Sequence, residues 1–111
     1  MHPKDNKNLE PVPAGEEVPF ESSHGWYRTI GHPLTRIEGS AKVYDRACVY
    51  DKAKVFGKAE VYGDAKVSGE ACVYGDAKVS GEACVYGNAE VFGEACVYGN
   101  AEVFGNAWVY D

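Results

Sequence analysis

From Gly39 onward the chain repeats one six-residue pattern of apolar and polar positions, GSAKVY, DRACVY, DKAKVF, GKAEVY and so on to GNAWVY at 105–110. These twelve hexads follow one another without insertion or deletion, with alanine third in each from Ala41 to Ala107 and valine fifth from Val43 to Val109. In an extended segment, residues two apart point to one face, so Ala and Val share the inner face while the fourth position points outward. The hexad must then bend. Glycine in the first position, preceded by an aromatic residue, supplies the positive φ of a type II turn. Asp45 and Asp51 replace that glycine in the second and third hexads, and aspartate is among the few other residues that tolerate the left-handed region. A fixed short period of this kind predicts a solenoid.

Motifs such as GNAEVFGEACVYG at 87–99 resemble the hexapeptide-repeat or isoleucine-patch family, and the likeness spans residues 39–110. The resemblance implies an all-β fold, a left-handed parallel β-helix in which three hexads close one triangular coil, so that twelve hexads make about four coils. Its winding is opposite to the usual right-handed crossover and is implied by the resemblance alone. At a coil spacing of about 4.8 Å, the prism would stand roughly 20 Å tall.

With three hexads to a coil, residues 18 apart stack on one face. The outward columns are then Lys42, Glu60, Lys78 and Cys96; Cys48, Lys66, Cys84 and Glu102; and Lys54, Cys72, Glu90 and Trp108. Charges alternate in the first column, as neighbouring strands prefer. Cys48 and Cys84 would share a face two coils apart, about 9.6 Å, beyond the roughly 7 Å that a disulfide spans. Cys72 and Cys96 fall on the other two faces, so free thiols are expected and no metal site, since thiols on three faces cannot converge on one zinc ion. The corner position is aromatic in ten hexads, at Tyr44, Tyr50, Phe56, Tyr62, Tyr74, Tyr86, Phe92, Tyr98, Phe104 and Tyr110, with Ser68 and Ser80 in the other two. A core of only Ala and Val is thin. The corner aromatics are therefore expected to recover apolar burial by stacking along the columns and by packing between subunits, giving a homo-oligomer, a trimer by the resemblance.

The first 38 residues break the pattern. Residues 1–19 contain Pro3, Pro11, Pro13 and Pro19 among charged and polar residues, too little apolar surface to offset the entropy of ordering, and read as a flexible tail. Residues 20–38 add Trp26, Tyr27, Ile30, Leu34 and Ile37 and read as an N-terminal cap on the solenoid of residues 39–111. Within the cap, Pro33–Glu38 reads as a degenerate hexad with Thr35 and Ile37 in the Ala and Val places.

A net charge of −6 and a pI near 5.0 argue against a nucleic-acid polymer as partner. No segment has the apolar length of a membrane span and the N-terminus lacks the apolar run of a secretory signal, so a cytoplasmic protein with no membrane partner is expected. Charge is uneven along the repeat: residues 39–80 hold seven Lys or Arg against six acids, whereas residues 81–111 hold five acids and no base. The basic end lies beside the cap, and a site for a small anionic, nucleotide-like ligand is expected there. Arg28, Arg36, Lys42 and Arg46 would hold the anion, Trp26 or Tyr27 would stack on a planar group, and His24 and His32 would add hydrogen bonds.

The family's best-known members are acyltransferases and γ-class carbonic anhydrases, whose chemistry needs a histidine base on the coils or three histidines on zinc. The repeat here carries no histidine. The expectation is therefore a protein that is not an enzyme, with no cofactor, a binding protein analogous to short oligomeric phage proteins that sequester nucleotide-like signals. A structural scaffold or protein-interaction module, stacking or docking through the strand edge of the last coil, is the alternative, and an acyltransferase using a cap histidine is the second alternative.

Overall fold

The computed structural model describes residues 6–110. Among them there is no helix: three strands, β1 (Leu9–Pro11), β2 (Trp26–Thr29) and β3 (His32–Glu38), precede twelve two-residue repeat strands from Lys42–Val43 to Trp108–Val109, one in every hexad. The repeat strands fall into three parallel sheets, and strands 18 residues apart are neighbours, so the chain climbs through about four coils of a parallel β-solenoid. The register brings Lys42 opposite Glu60, Glu60 opposite Lys78 and Lys78 opposite Cys96, and the other two columns follow the same rule.

The physical basis is the alternation. Alanines and valines of the hexads from Ala41 to Val97 line one continuous buried core, while the fourth-position side chains between them are exposed or half-buried on the outside. The backbone of each coil is tied to the next by a ladder such as Lys66 N–H to Ala83 O at 2.9 Å and Ser68 N–H to Val85 O at 2.9 Å. At the corners the first-position residues have φ between 59° and 73° from Asp45 to Gly105, including the two aspartates. Those aspartates do more than tolerate the turn: the Asp45 and Asp51 carboxylates accept the N–H groups of Gly63 and Gly69 in the next coil at 3.2 and 3.1 Å.

The degenerate hexad joins the stack. Ile37 lies in register with Val55 and Arg36 with Lys54, and Thr35 and Ile37 are fully buried. One sheet thereby extends through β3 into an antiparallel β1–β2–β3 unit. Part of the segment read as a flexible tail, residues 6–19, is described. Residues 1–5 lie outside the described residues, but Leu9–Pro11 pairs with Tyr27–Thr29, and the Asn6 side-chain amide donates to Val43 O at 2.9 Å. This segment is held by backbone pairing and by Leu9, which packs against the core.

The four cysteines are free. Among the described residues no helix is long and apolar enough to cross a membrane.

Candidate functional site

Where the cap crosses the first coil, it leaves a cleft of about 420 Å³. Its floor is the upper end of the solenoid core, Val43, Ala47 and Val49, and its sides come from Leu9, Thr29 and Ile30. Polar groups stand at its edge: Asn6, Asn8, His32 and Tyr50. The Thr29 hydroxyl ties one wall to the solenoid by donating to Val49 O, and Ile30 N–H ties that wall to the N-terminal segment by donating to Asn8 O. Asn6 is fixed in turn by its side-chain oxygen, which accepts Asn8 N–H at 2.9 Å.

Of the residues expected at a ligand site, only His32 lines this cleft. Its ring lies 5.7 Å from that of Tyr50, and its Nδ1 accepts Asp51 N–H at 3.3 Å. Trp26 is buried, and its indole N–H donates to Phe20 O at 2.8 Å while the ring packs against Phe20 and Phe56. It closes a corner of the solenoid. Tyr27 packs against the core, and His24 is exposed on the cap, its N–H bonded to Ser22 Oγ.

The expected anion-holding cations are dispersed rather than convergent. Arg28 donates to Glu10 at 2.7 Å and reaches Glu16 at 3.3 Å, and the Glu10 hydrogen bond raises its pKa above the ordinary value. Arg36 is buried and donates to the carbonyls of Glu17, Pro33 and Thr35 at 2.6–2.8 Å, with Glu16 3.7 Å away. Arg46 pairs with Asp64 at 3.0 Å, and Lys42 stands exposed in register with Glu60. Acids at positions 10 and 16, in the segment read as a tail, thus take the guanidinium groups intended for a ligand. Lys52 and Lys54 instead line a second hollow of about 390 Å³ together with Arg36, Glu17, Val18, Pro19 and Leu34.

Sequence reasoning missed Asn6, Asn8 and Leu9 as cleft residues. The available signal was Asn-Lys-Asn-Leu, a turn-forming pair of asparagines before a single apolar residue. Among the described residues no three His, Cys, Asp or Glu side chains gather where they could hold a metal ion.

The cap is anchored by one buried carboxylate. Glu38 accepts hydrogen bonds from the Ser22 hydroxyl and from Gly57 N–H. Burial pushes its pKa up, but those two bonds, with Ser40 and the charge of His24, outweigh burial and hold it below the ordinary value.

Comparison of the chain with protein-family models, with curated proteins and with solved structures finds no match. The reading of function rests on the residues themselves.

Proposed function

We propose that this is a non-catalytic, homo-oligomeric β-solenoid binding protein of the hexapeptide-repeat type, capturing a small molecule in the cleft between the cap and the first coil. The cleft of about 420 Å³ carries the reading, because an apolar floor ringed by a few fixed polar groups is the usual form of a small-molecule site. Amides, an imidazole and a phenol at its edge suit a compact, flat and weakly charged body. A nucleotide-like ligand would put its base in the cleft, and Arg28 and Arg36, already engaged, would not meet its anionic end.

The non-catalytic part of the proposal is supported by the place of the cap histidines. His32 accepts a backbone N–H at Nδ1, which leaves Nε2 of the neutral ring as a donor rather than a base, and His24 lines neither of the two hollows described above. Assay of the chain with acyl-coenzyme A and with bicarbonate is expected to show no turnover. Self-association is supported by exposed corner rings, Tyr98, Phe104 and Tyr110 among them, and native mass spectrometry is expected to give a trimer rather than a 12.0 kDa monomer.

Calorimetry against mono-, di- and cyclic nucleotides and the corresponding nucleosides tests the site. Ile30→Lys, at an exposed cleft position, is expected to weaken binding at least about tenfold by placing a charge against the apolar floor. If the parent binds none of the panel, or the variant binds as the parent does, the cleft is not the site.

A further inference from the structure

The corner residues form three columns, and two of them lack a rung. On one corner Phe56, Tyr74, Phe92 and Tyr110 stack face to face, with ring centroids 4.9, 5.2 and 5.2 Å apart and planes within 12° of parallel. Phe20 and Trp26 close the top of that column. On the second corner Tyr44 stacks on Tyr62 at 5.0 Å, and Ser80 takes the next place before Tyr98. On the third, Tyr86 stacks on Phe104 at 5.4 Å, and Ser68 stands between Tyr50 and Tyr86.

The rings flanking each serine are two coil rises apart, about 9.6 Å, which leaves the thickness of one ring between them. The gap cannot close by sliding coils together, because Tyr50 N–H to Val67 O, Ser68 N–H to Val85 O and Tyr86 N–H to Val103 O, each 2.9 Å, fix the rise. Three of the four flanking rings are also held from behind, and Tyr98 stands exposed. Tyr50 packs against His32, Tyr62 against Tyr44, and the Tyr86 phenol donates to Glu102 at 3.0 Å.

We propose that each missing rung is a binding slot for one flat aromatic ring of a small molecule, held between Tyr50 and Tyr86 over Ser68 and between Tyr62 and Tyr98 over Ser80. The filled column shows what the slot accepts. Three tyrosines in filled rungs reach the carboxylate 16 residues on, Tyr44 to Glu60, Tyr74 to Glu90 and Tyr86 to Glu102. By the same register a ring over Ser68 would aim at Cys84, and one over Ser80 at Cys96. Neither offers a carboxylate to a donor, so the slot suits an uncharged ring edge. The faces of two electron-rich phenols favour an electron-poor heteroaromatic ring of the pyridine type, since offset stacking is governed by the quadrupoles of the rings. The half-buried serine hydroxyl at the back can donate to or accept from one ring heteroatom. This inference stands apart from the cap cleft, with which it shares only Tyr50.

The test is a titration of the isotope-labelled full chain with nicotinamide, followed by the amide NMR shifts of Ser68 and Ser80. Saturable shifts at both serines are expected. The double variant Ser68→Tyr, Ser80→Tyr fills both rungs and should weaken binding by at least about tenfold, the scale of removing a stacking partner. Ser68→Ala with Ser80→Ala keeps the gaps open and should bind within a few-fold of the parent, and Ile30→Lys in the cleft should leave the shift of Ser80, whose slot shares no residue with the cleft, unchanged. Should the tyrosine variant fail to fold, Tyr86→Leu is expected to remove the response at Ser68 and preserve it at Ser80. Absence of saturable shifts in the parent, undiminished binding when the rungs are filled, or an unaltered Ser68 response in Tyr86→Leu would each overturn the proposal.

Discussion

Two glycines with the same backbone angle should respond very differently to a single methyl group. Gly81 and Gly105 both turn a corner at φ +66°. A Cβ at Gly81 would lie 2.8 Å from the nitrogen and 3.1 Å from the oxygen of Gly99 in the next coil, whereas a Cβ at Gly105 would meet nothing within 4 Å. Holding an L-residue in the left-handed region costs about 1–2 kcal/mol at either site. At Gly81 the overpacking adds about 1–3 kcal/mol, because the corner is clamped between coils and the neighbouring atoms belong to the Gly99 backbone. Gly81→Ala is therefore expected to lose about 2–5 kcal/mol and Gly105→Ala about 1–2 kcal/mol. Urea unfolding followed by far-UV circular dichroism reads both, provided the slopes remain equal so that midpoints can be compared. Asp45 and Asp51 show how a Cβ is accommodated: they belong to the first coil, and their carboxylates take up the N–H of the glycine below. Alanine at position 81 has no such group. Equal losses at the two sites would refute the claim that close coil approach, rather than the turn angle alone, demands glycine.

Other outcomes follow from the same contacts. Tyr44 and Tyr74 should titrate late, since burial first and then Glu60 or Glu90 push each phenol up to about 12; their folded state favours the neutral phenol, so its contribution is whole below the ordinary value of 10.0 and is lost as pH rises from there toward 12. Ultraviolet phenolate titration checks this, and Glu90→Gln should bring the Tyr74 transition down. Glu38 works in the opposite direction: its lowered pKa stabilises the cap above the ordinary value of 4.5 and ceases to do so as pH falls through the folded value. Ser22→Ala should narrow that acid dependence, measured as the melting temperature against pH. Trp26→Ala removes a buried ring packed on Phe20 and Phe56 and should cost about 3–5 kcal/mol in chemical unfolding; a loss under about 1 kcal/mol would mean that the cap does not seal the solenoid.

The repeat could be read almost directly because its signal is periodic. Ala and Val two positions apart define the inner face, and the 18-residue spacing that places Lys42 beside Glu60 also places Glu90 beside Trp108. The cap was harder for a physical reason. Its order comes from single, aperiodic bonds, such as the Asn6 amide on Val43 O and the Glu10 and Glu16 carboxylates on Arg28. Counting charges along the chain located a basic end but could not say which bases were already paired, and so Arg28 and Arg36 were expected to face a ligand. Ser68 and Ser80 were visible as exceptions in the sequence, yet their meaning required the columns. Only the stacked rings on either side turn a substitution into a gap.

The constant rise of the coil also sets which deletions the chain can absorb. Removing 57–74 would excise one whole coil and rejoin Phe56 to Gly75 with every face still aligned. Removing six residues would instead turn everything beyond the cut by one side of the triangle and re-pair every column. Even the clean excision would have a chemical cost, because Lys66 now separates Cys48 from Cys84 on their shared sheet. Without it the two thiols would sit on adjacent strands about 4.8 Å apart, inside the range a disulfide bridges, and a chain whose four cysteines are free would acquire a redox-sensitive staple.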